Sequence, residues 1–277
     1  MGMLQAVDVS AGAAMPHKGA TLWLGLRTIR NLRKALIWAW LDTICQYRRS
    51  KIGPLWETIN ALVMTLGIAV VSSAVIGGTI SDLIGYIGLG IIVWSAITGL
   101  IGDGTTVFVR NRDYLLSTNL SIDFYVARTG FHVFIVFCHH LILYAVAVAL
   151  GLVALHWVAL LAVPGVVLLF VNGFWVITLL SLVCARFHDV ELIVRNLLQL
   201  AFFVTPVFWD YRHVLSGREY IVNYNVLFYF IEIVRGPLLG EVPTAQTYAV
   251  VLAVTVVGYL LAFLAYRRMR RNLAFFV

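Results

Sequence analysis

The stretch VALLAVPGVVLLFVNGFWVITLLSLVCA, residues Val158 to Ala185, runs its whole length without one Asp, Glu, Lys or Arg. A helix rises 1.5 Å per residue, so about 20 apolar residues cross roughly 30 Å of hydrocarbon, and this run is long enough. Backbone amides in lipid need internal partners, and no sustained period-two alternation suggests a strand, so the run is read as a helix. Comparable runs flank it. Upstream they cover about Pro54–Ile76, Leu83–Ile101 and Arg128–Leu155; downstream, about Thr244–Tyr266 and a shorter one, Glu191–Phe208. Short breaks separate them: 77–82 after the first, Gly102-Asp103-Gly104 closing the second, and a tight turn at His156 and Trp157. The expected fold class is all-α integral membrane, with six transmembrane helices.

Composition agrees. Of 277 residues 61% are hydrophobic and only 12% charged, about half the charged share of a soluble chain. Such a chain has too little interior to hide that much apolar surface in water. Cys45, Cys138 and Cys184 follow no metal-ligand spacing and are read as small buried hydrophobes.

Net charge is +7, gathered at the ends. Residues 1–54 carry Lys18, Arg27, Arg30, Arg33, Lys34, Arg48, Arg49 and Lys51 against Asp8 and Asp42, and the C-terminus adds Arg267, Arg268, Arg270 and Arg271. Both clusters abut apolar runs, which fits a membrane surface better than nucleic acid. Six spans place both termini on one side, and the basic ends put that side in the cytoplasm. The expected units are an N-terminal tail at 1–20, taken as flexible, and an amphipathic interface helix with its lead-in segment at 21–53. The six-span membrane domain follows at 54–271, and a tail closes the chain at 272–277.

Within 21–42, Leu22, Leu26, Ile29, Leu36 and Trp40 cluster on one helical face beside Arg27, Arg30 and Lys34. Such a helix lies in the interface plane and packs on the bundle or a partner. Pro54 suits a first helical turn, where its missing N–H has no partner to lose. Arg48, Arg49 and Lys51 either contact lipid phosphates or anchor the topology.

Ionisable residues inside spans are candidate functional groups. Glu57 and Asn60 lie one turn into the first span, where they line a path or pair with the basic cluster. Glu191, Arg195 and Gln199 recur every four residues, a polar stripe that lines a pathway or holds helices together. His132, His139 and His140 lack carboxylates at ligand spacing and are read as packing histidines. Phe203, Phe208, Trp209 and Tyr211 suit an outer aromatic belt or a stacking surface for sugar rings. Residues 220–240 have helical apolar spacing but hold Glu232 and Arg235, as an outer-side helix or re-entrant hairpin would. There is no phosphate-binding loop, HExxH or nucleophile elbow, so the chain is not expected to hydrolyse ATP alone. No inverted repeat accompanies a midplane acid, as a secondary transporter would require.

Three segments carry a resemblance: YRRSKIGPLW at 47–56, VRNRDYLL at 109–116, and Thr205-Pro206-Val207-Phe208 followed by Asn225, Glu232, Arg235 and the run Gly236 to Gly240. In this order, over 21–271, the chain resembles the permease subunit of ABC-2-type polysaccharide exporters, the group handling O-antigen, teichoic acid, capsule and mycobacterial galactan. It departs at Val226, where relatives carry proline, and at 119–122, which lacks one. The resemblance implies a homodimer in the plasma (bacterial inner) membrane with two copies of a separate ATPase that binds ATP and Mg. It also implies a channel for a polyprenyl-diphosphate-linked glycan, with no cofactor, metal, nucleic acid or catalytic residue in this chain. Arg48, Arg49, Lys51 and Trp56 would meet the headgroup at intake; Arg110, Asn111, Arg112, Asp113 and Tyr114 would couple to the ATPase. Glu57, Asn60, Glu191, Arg195 and Gln199 would form the channel or polar stripe. Phe203, Phe208, Trp209, Tyr211, Glu232 and Arg235 would form the outer gate, within 209–243. A different lipid or drug-like cargo is the alternative.

Overall fold

Backbone amides that can find no water must pair along their own helix, and the chain does this throughout. A computed structural model describes residues 26–48, 50–77, 79–117, 120–214 and 220–269, and every regular element among them is helical. The expected tails at 1–20 and 272–277, and Arg49, lie outside the described residues. In chain order the helices are α1 Leu26–Gln46, α2 Leu55–Ile76, α3 Ile80–Arg110, α4 Arg112–Ser117 and α5 Ile122–Ala149. A 3-10 turn, Trp157–Leu161, runs into α6 Ala162–Arg186. Then come α7 Asp189–Val204, the single turns α8 Tyr211–Val214 and α9 Tyr220–Asn223, α10 Val226–Leu238 and α11 Ala245–Met269.

Five of these are long and apolar enough to cross a membrane: α2, α3, α5, α6 with its 3-10 turn, and α11. The chain is an all-α integral membrane protein. The sixth expected span, Glu191–Phe208, is corrected. It is α7, only 16 residues and about 24 Å long. Pro206 explains the early end, because a residue before proline is driven out of the α region, and Thr205 is extended (φ −84°, ψ 135°). The chain nevertheless returns to the end it left. α11 runs beside α6 in the same direction: Asn172 Nδ2 donates to Thr255 Oγ1 (2.8 Å), and three residues on along both helices a Cβ on Gly258 would lie 2.2 Å from the Trp175 ring. So α11 finishes at the end where α2 begins. Arg110, Arg112, Arg186, Arg267 and Arg268 also gather there, and it is called the basic end below. The opposite, far end holds the α2–α3 turn, residues 150–156 and α10.

Three other expectations shift. The second span does not stop at Gly102-Asp103-Gly104, since α3 continues to Arg110. Gly104 serves packing there: a Cβ on it would lie 3.1 Å from Ile177 Cα, so its bareness lets α3 and α6 close up. α5 starts at Ile122, six residues before the expected boundary, and ends at Ala149. On α1, the face packed against the bundle is the small-residue line Ala35, Ala39, Thr43, while Leu36 and Trp40 are exposed. Small side chains let α1 lie close to α5, and the apolar face is left for the lipid interface. The cysteine reading is corrected on the same ground: Cys184 is buried, but Cys45 and Cys138 are exposed, an outward position that lipid does not penalise.

α3 is the central helix, with 67% of its membrane window buried against 22% for α2 and 17% for α11. Gly104→Leu is expected to overpack the α3–α6 contact and cost about 1–3 kcal/mol. Gly102→Ala, with nothing within 4 Å of the added Cβ, gains about 0.5–1 kcal/mol of helix propensity. Thermal unfolding midpoints in detergent check both signs.

Candidate functional site

At the basic end a single residue, Asn111, joins α3 to α4, and its side chain ties the junction down. Its Nδ2 donates to Val107 O (2.7 Å), and its Oδ1 accepts from Arg128 Nη1 (3.3 Å). Arg128 also holds Asp42 of α1 with both carboxylate oxygens engaged, at 2.5 and 2.7 Å. Its guanidinium lies 5.4 Å from the Trp38 ring. Asn31 adds a bond from α1 to Ser121 (3.2 Å). Three elements therefore meet on one guanidinium, whose planar fork suits bidentate capture of a carboxylate. A cavity of about 240 Å³ opens beside it, lined among others by Asp103, Arg110, Asn111 and His132. On α4, Leu115 is buried while Arg112, Asp113 and Tyr114 are exposed. The helix is anchored from below and presents charge outward.

The expected intake residues Arg48, Lys51 and Trp56 are all exposed around the α1–α2 turn. Glu57 accepts a hydrogen bond from the Tyr47 hydroxyl, and among the described residues no ion pair joins it to Arg48 or Lys51. Burial, then that bond to Glu57, pushes the Tyr47 hydroxyl above its usual range, so it stays a donor. Asn60 is exposed on α2. The three histidines have partners: His132 faces Asp103 (3.9 Å), His139 meets Ile135 O (2.7 Å) and His140 meets Ser95 Oγ (2.9 Å). Among the described residues no three metal-ligating side chains gather.

α7 packs on α3 and α6 yet buries none of its residues fully. Glu191 and Arg195 pair with each other along the helix (2.7 Å), and Gln199 is exposed one turn on. Within one chain, this stripe does not join Glu57 and Asn60, because α2 packs on α3 and α5 instead.

At the far end the expected gate residues fall into two groups. Phe203, Phe208 and Trp209 cluster with Phe202, whose ring lies 5.7 Å from Trp94; Tyr211 packs edge-on against Phe228 (5.1 Å). Glu232 and Arg235, on α10, form a pair at 2.9 Å in which Arg235 has no exposure at all. Arg235 Nη1 donates to Pro206 O (2.8 Å), and the guanidinium sits 3.9 Å over the Tyr86 ring. Asn225 caps α10 by accepting from Leu227 N (3.0 Å) and donates to Thr205 Oγ1 (2.9 Å). The end of α7 and the start of α10 are thus tied together. Above them Arg212 holds Glu241, and that carboxylate raises its pKa further above the usual range.

Membrane-length helices, a charged element hung on α3 and a broken helix tied to a short far-end helix form one frame. The sequence pattern of the ABC-2 type transporter matches residues 34–239 of it. The chain belongs to the ABC-2 type transporter family. A comparison with curated proteins gave no significant match. As an ABC-2 permease, the chain is the membrane subunit of a transporter rather than a catalytic domain, and the family implies an ATPase partner.

The residues this permease adds to those expected are Asp42, Arg128, Trp38 and Tyr86. Asp42 was the visible signal, since no other acid lies between Asp8 and Glu57. A lone acid in a basic helix calls for a cation elsewhere, and Arg128, beside an apolar run, was the one to seek. Asp42→Asn and Arg128→Gln should each lower the unfolding midpoint, while the double variant falls little further. Because both groups are part-exposed, the coupling expected from that double-mutant cycle is about 1 kcal/mol.

Proposed function

We propose that two copies of this chain, with two copies of a separate ATPase, form the channel of an exporter in the plasma (bacterial inner) membrane. Its cargo is a polyprenyl-diphosphate-linked glycan. The observation that carries this reading is α7. Arg195, Asn196 and Gln199 are exposed on a helix set between the α6 turn and the middle of α3, and lipid does not tolerate that face. A second copy enclosing a water-filled path satisfies it. The basic end then faces the cytoplasm, in keeping with its excess of Lys and Arg.

The remaining groups take roles along that path. Arg48, Arg49, Lys51 and Trp56 meet the diphosphate at intake, where arginine geometry suits phosphate. Arg110 to Tyr114 receive the ATPase, whose bound ATP and Mg supply the energy. Glu57, Asn60 and the α7 stripe line the channel. Phe203, Phe208, Trp209 and Tyr211, with the Glu232–Arg235 pair behind them, form the outer gate, and aromatic faces track sugar rings without demanding one linkage. An apolar groove of about 180 Å³ between α2, α3 and α5 favours a second reading, an ABC-2 exporter of a lipid or drug-like cargo.

Co-purification in detergent tests the assembly. The permease should elute as a dimer with an ATPase subunit, whose hydrolysis falls severalfold in Arg112→Ala or Asp113→Ala; a monomer active without nucleotide would sink the proposal. Neutralising Arg48 and Arg49 together should slow glycan export from cells while the complex still assembles. Unchanged export, with a lipid or drug exported instead, favours the second reading.

A further inference from the structure

Tyr86, Gly90 and Trp94 recur every four residues on α3 and so share one face. Each meets the broken end of α7 or what holds it. The Tyr86 ring carries the Arg235 guanidinium at 3.9 Å, and its hydroxyl donates to Trp209 O (3.3 Å). A Cβ on Gly90 would come within 2.1 Å of Val207 O, so backbone lies directly on backbone there. Trp94 meets Phe202. At its other end the same helix carries Asn111 and α4. The two contacts lie on one unbroken helix, since α3 runs 31 residues, about 46 Å, without interruption. It is buried on most sides, where close-packed interiors shift as bodies rather than bend.

Arg235 is the fastener at the far contact. Pro206 and the extended Thr205 end α7, so the carbonyls of Pro206 and Val207 fall outside its hydrogen-bond ladder. The guanidinium donates to both, reaching Pro206 O at 2.8 Å and Val207 O at 3.5 Å, while Glu232 neutralises it at 2.9 Å. Its Nε makes no hydrogen bond. A lysine could keep the Glu232 pair, but it could not also fork to the carbonyls and lie flat on Tyr86.

We infer that α3 is a rod carrying motion from α4 to the far-end gate, with Arg235 and Tyr86 as the positioning residues that fasten the gate to it. This rests on the reading that α4 receives the ATPase. A displacement of α4 along the bundle moves Tyr86 and Gly90 with it. The break at 205–207 and the start of α10 follow, because the guanidinium and Asn225 hold both to the same point.

Hydrogen–deuterium exchange on the full permease–ATPase complex, with and without ATP plus vanadate, tests this. In the unaltered complex the trapped state should change exchange by about threefold or more at both 109–117 and 205–210. Arg235→Met combined with Glu232→Leu removes both charges and strands neither. In that variant the response at 109–117 should persist and the response at 205–210 disappear. Gly90→Ala pushes Val207 off α3 while replacing no charged residue, and should weaken the far response in the same way. A far response that survives in both variants overturns the inference, as does an unaltered complex responding at 109–117 alone. No response at 109–117 overturns the docking reading itself.

Discussion

Hydrocarbon offers no hydrogen bond to a helix that stops halfway through it. Every other constraint on this chain is easier to meet than that one. The long helices pair their amides internally, and their ends reach polar surroundings. α7 stops at Val204, beside the middle of α3, because Pro206 forces Thr205 out of helical conformation. The buried carbonyls just past the break, at Pro206 and Val207, then need donors that must themselves be buried. Arg235 supplies them, and its charge needs Glu232, its plane needs Tyr86, and the freed chain needs Asn225 to begin α10. The break at one proline thus draws together Arg235 and Glu232 of α10, Tyr86 of α3 and the capping Asn225.

The second organising fact is how closely α3 is approached. Glycine on α3 meets a different neighbour at each level: Thr65 of α2 at Gly88, Val133 of α5 at Gly99 and Ile177 of α6 at Gly104. Membrane helices gain no hydrophobic drive from meeting one another, so dispersion at close range must hold them. α1 uses the same device with alanine instead of glycine. Its Ala35 and Ala39 lie against the bundle while Trp40 and Leu41 stay outside.

The number of apolar runs, their order and the all-helical class were legible because hydropathy reports the solvent each segment meets. Boundaries were less so. Gly102-Asp103-Gly104 reads as a terminator, since glycine and aspartate favour turns; only the position of Ile177 shows why glycine is there. The apolar stripe of α1 did not reveal its packing face, because a rule made for water, where apolar means inside, does not say which face meets protein and which meets lipid. In lipid the packing face is the small one. Among candidate residues, Glu232 and Arg235 stood out as charges in an apolar helix. Tyr86 did not, because a tyrosine among apolar residues is ordinary until a guanidinium is found on its ring.

Two arginines show how position decides what a charge does. Arg235 and Arg195 each pair with a glutamate on their own helix, at 2.9 and 2.7 Å. The Arg235 side chain has no exposure, and its Nη1 reaches another segment, so it joins elements. The Arg195 side chain is 71% exposed and its partner lies one turn back, so within one chain the pair joins nothing. Of the two roles open to the α7 stripe, holding helices together is therefore weakened for a single chain. A cation left outward on a membrane helix needs water or a second protein surface before it. On the channel reading it gets both.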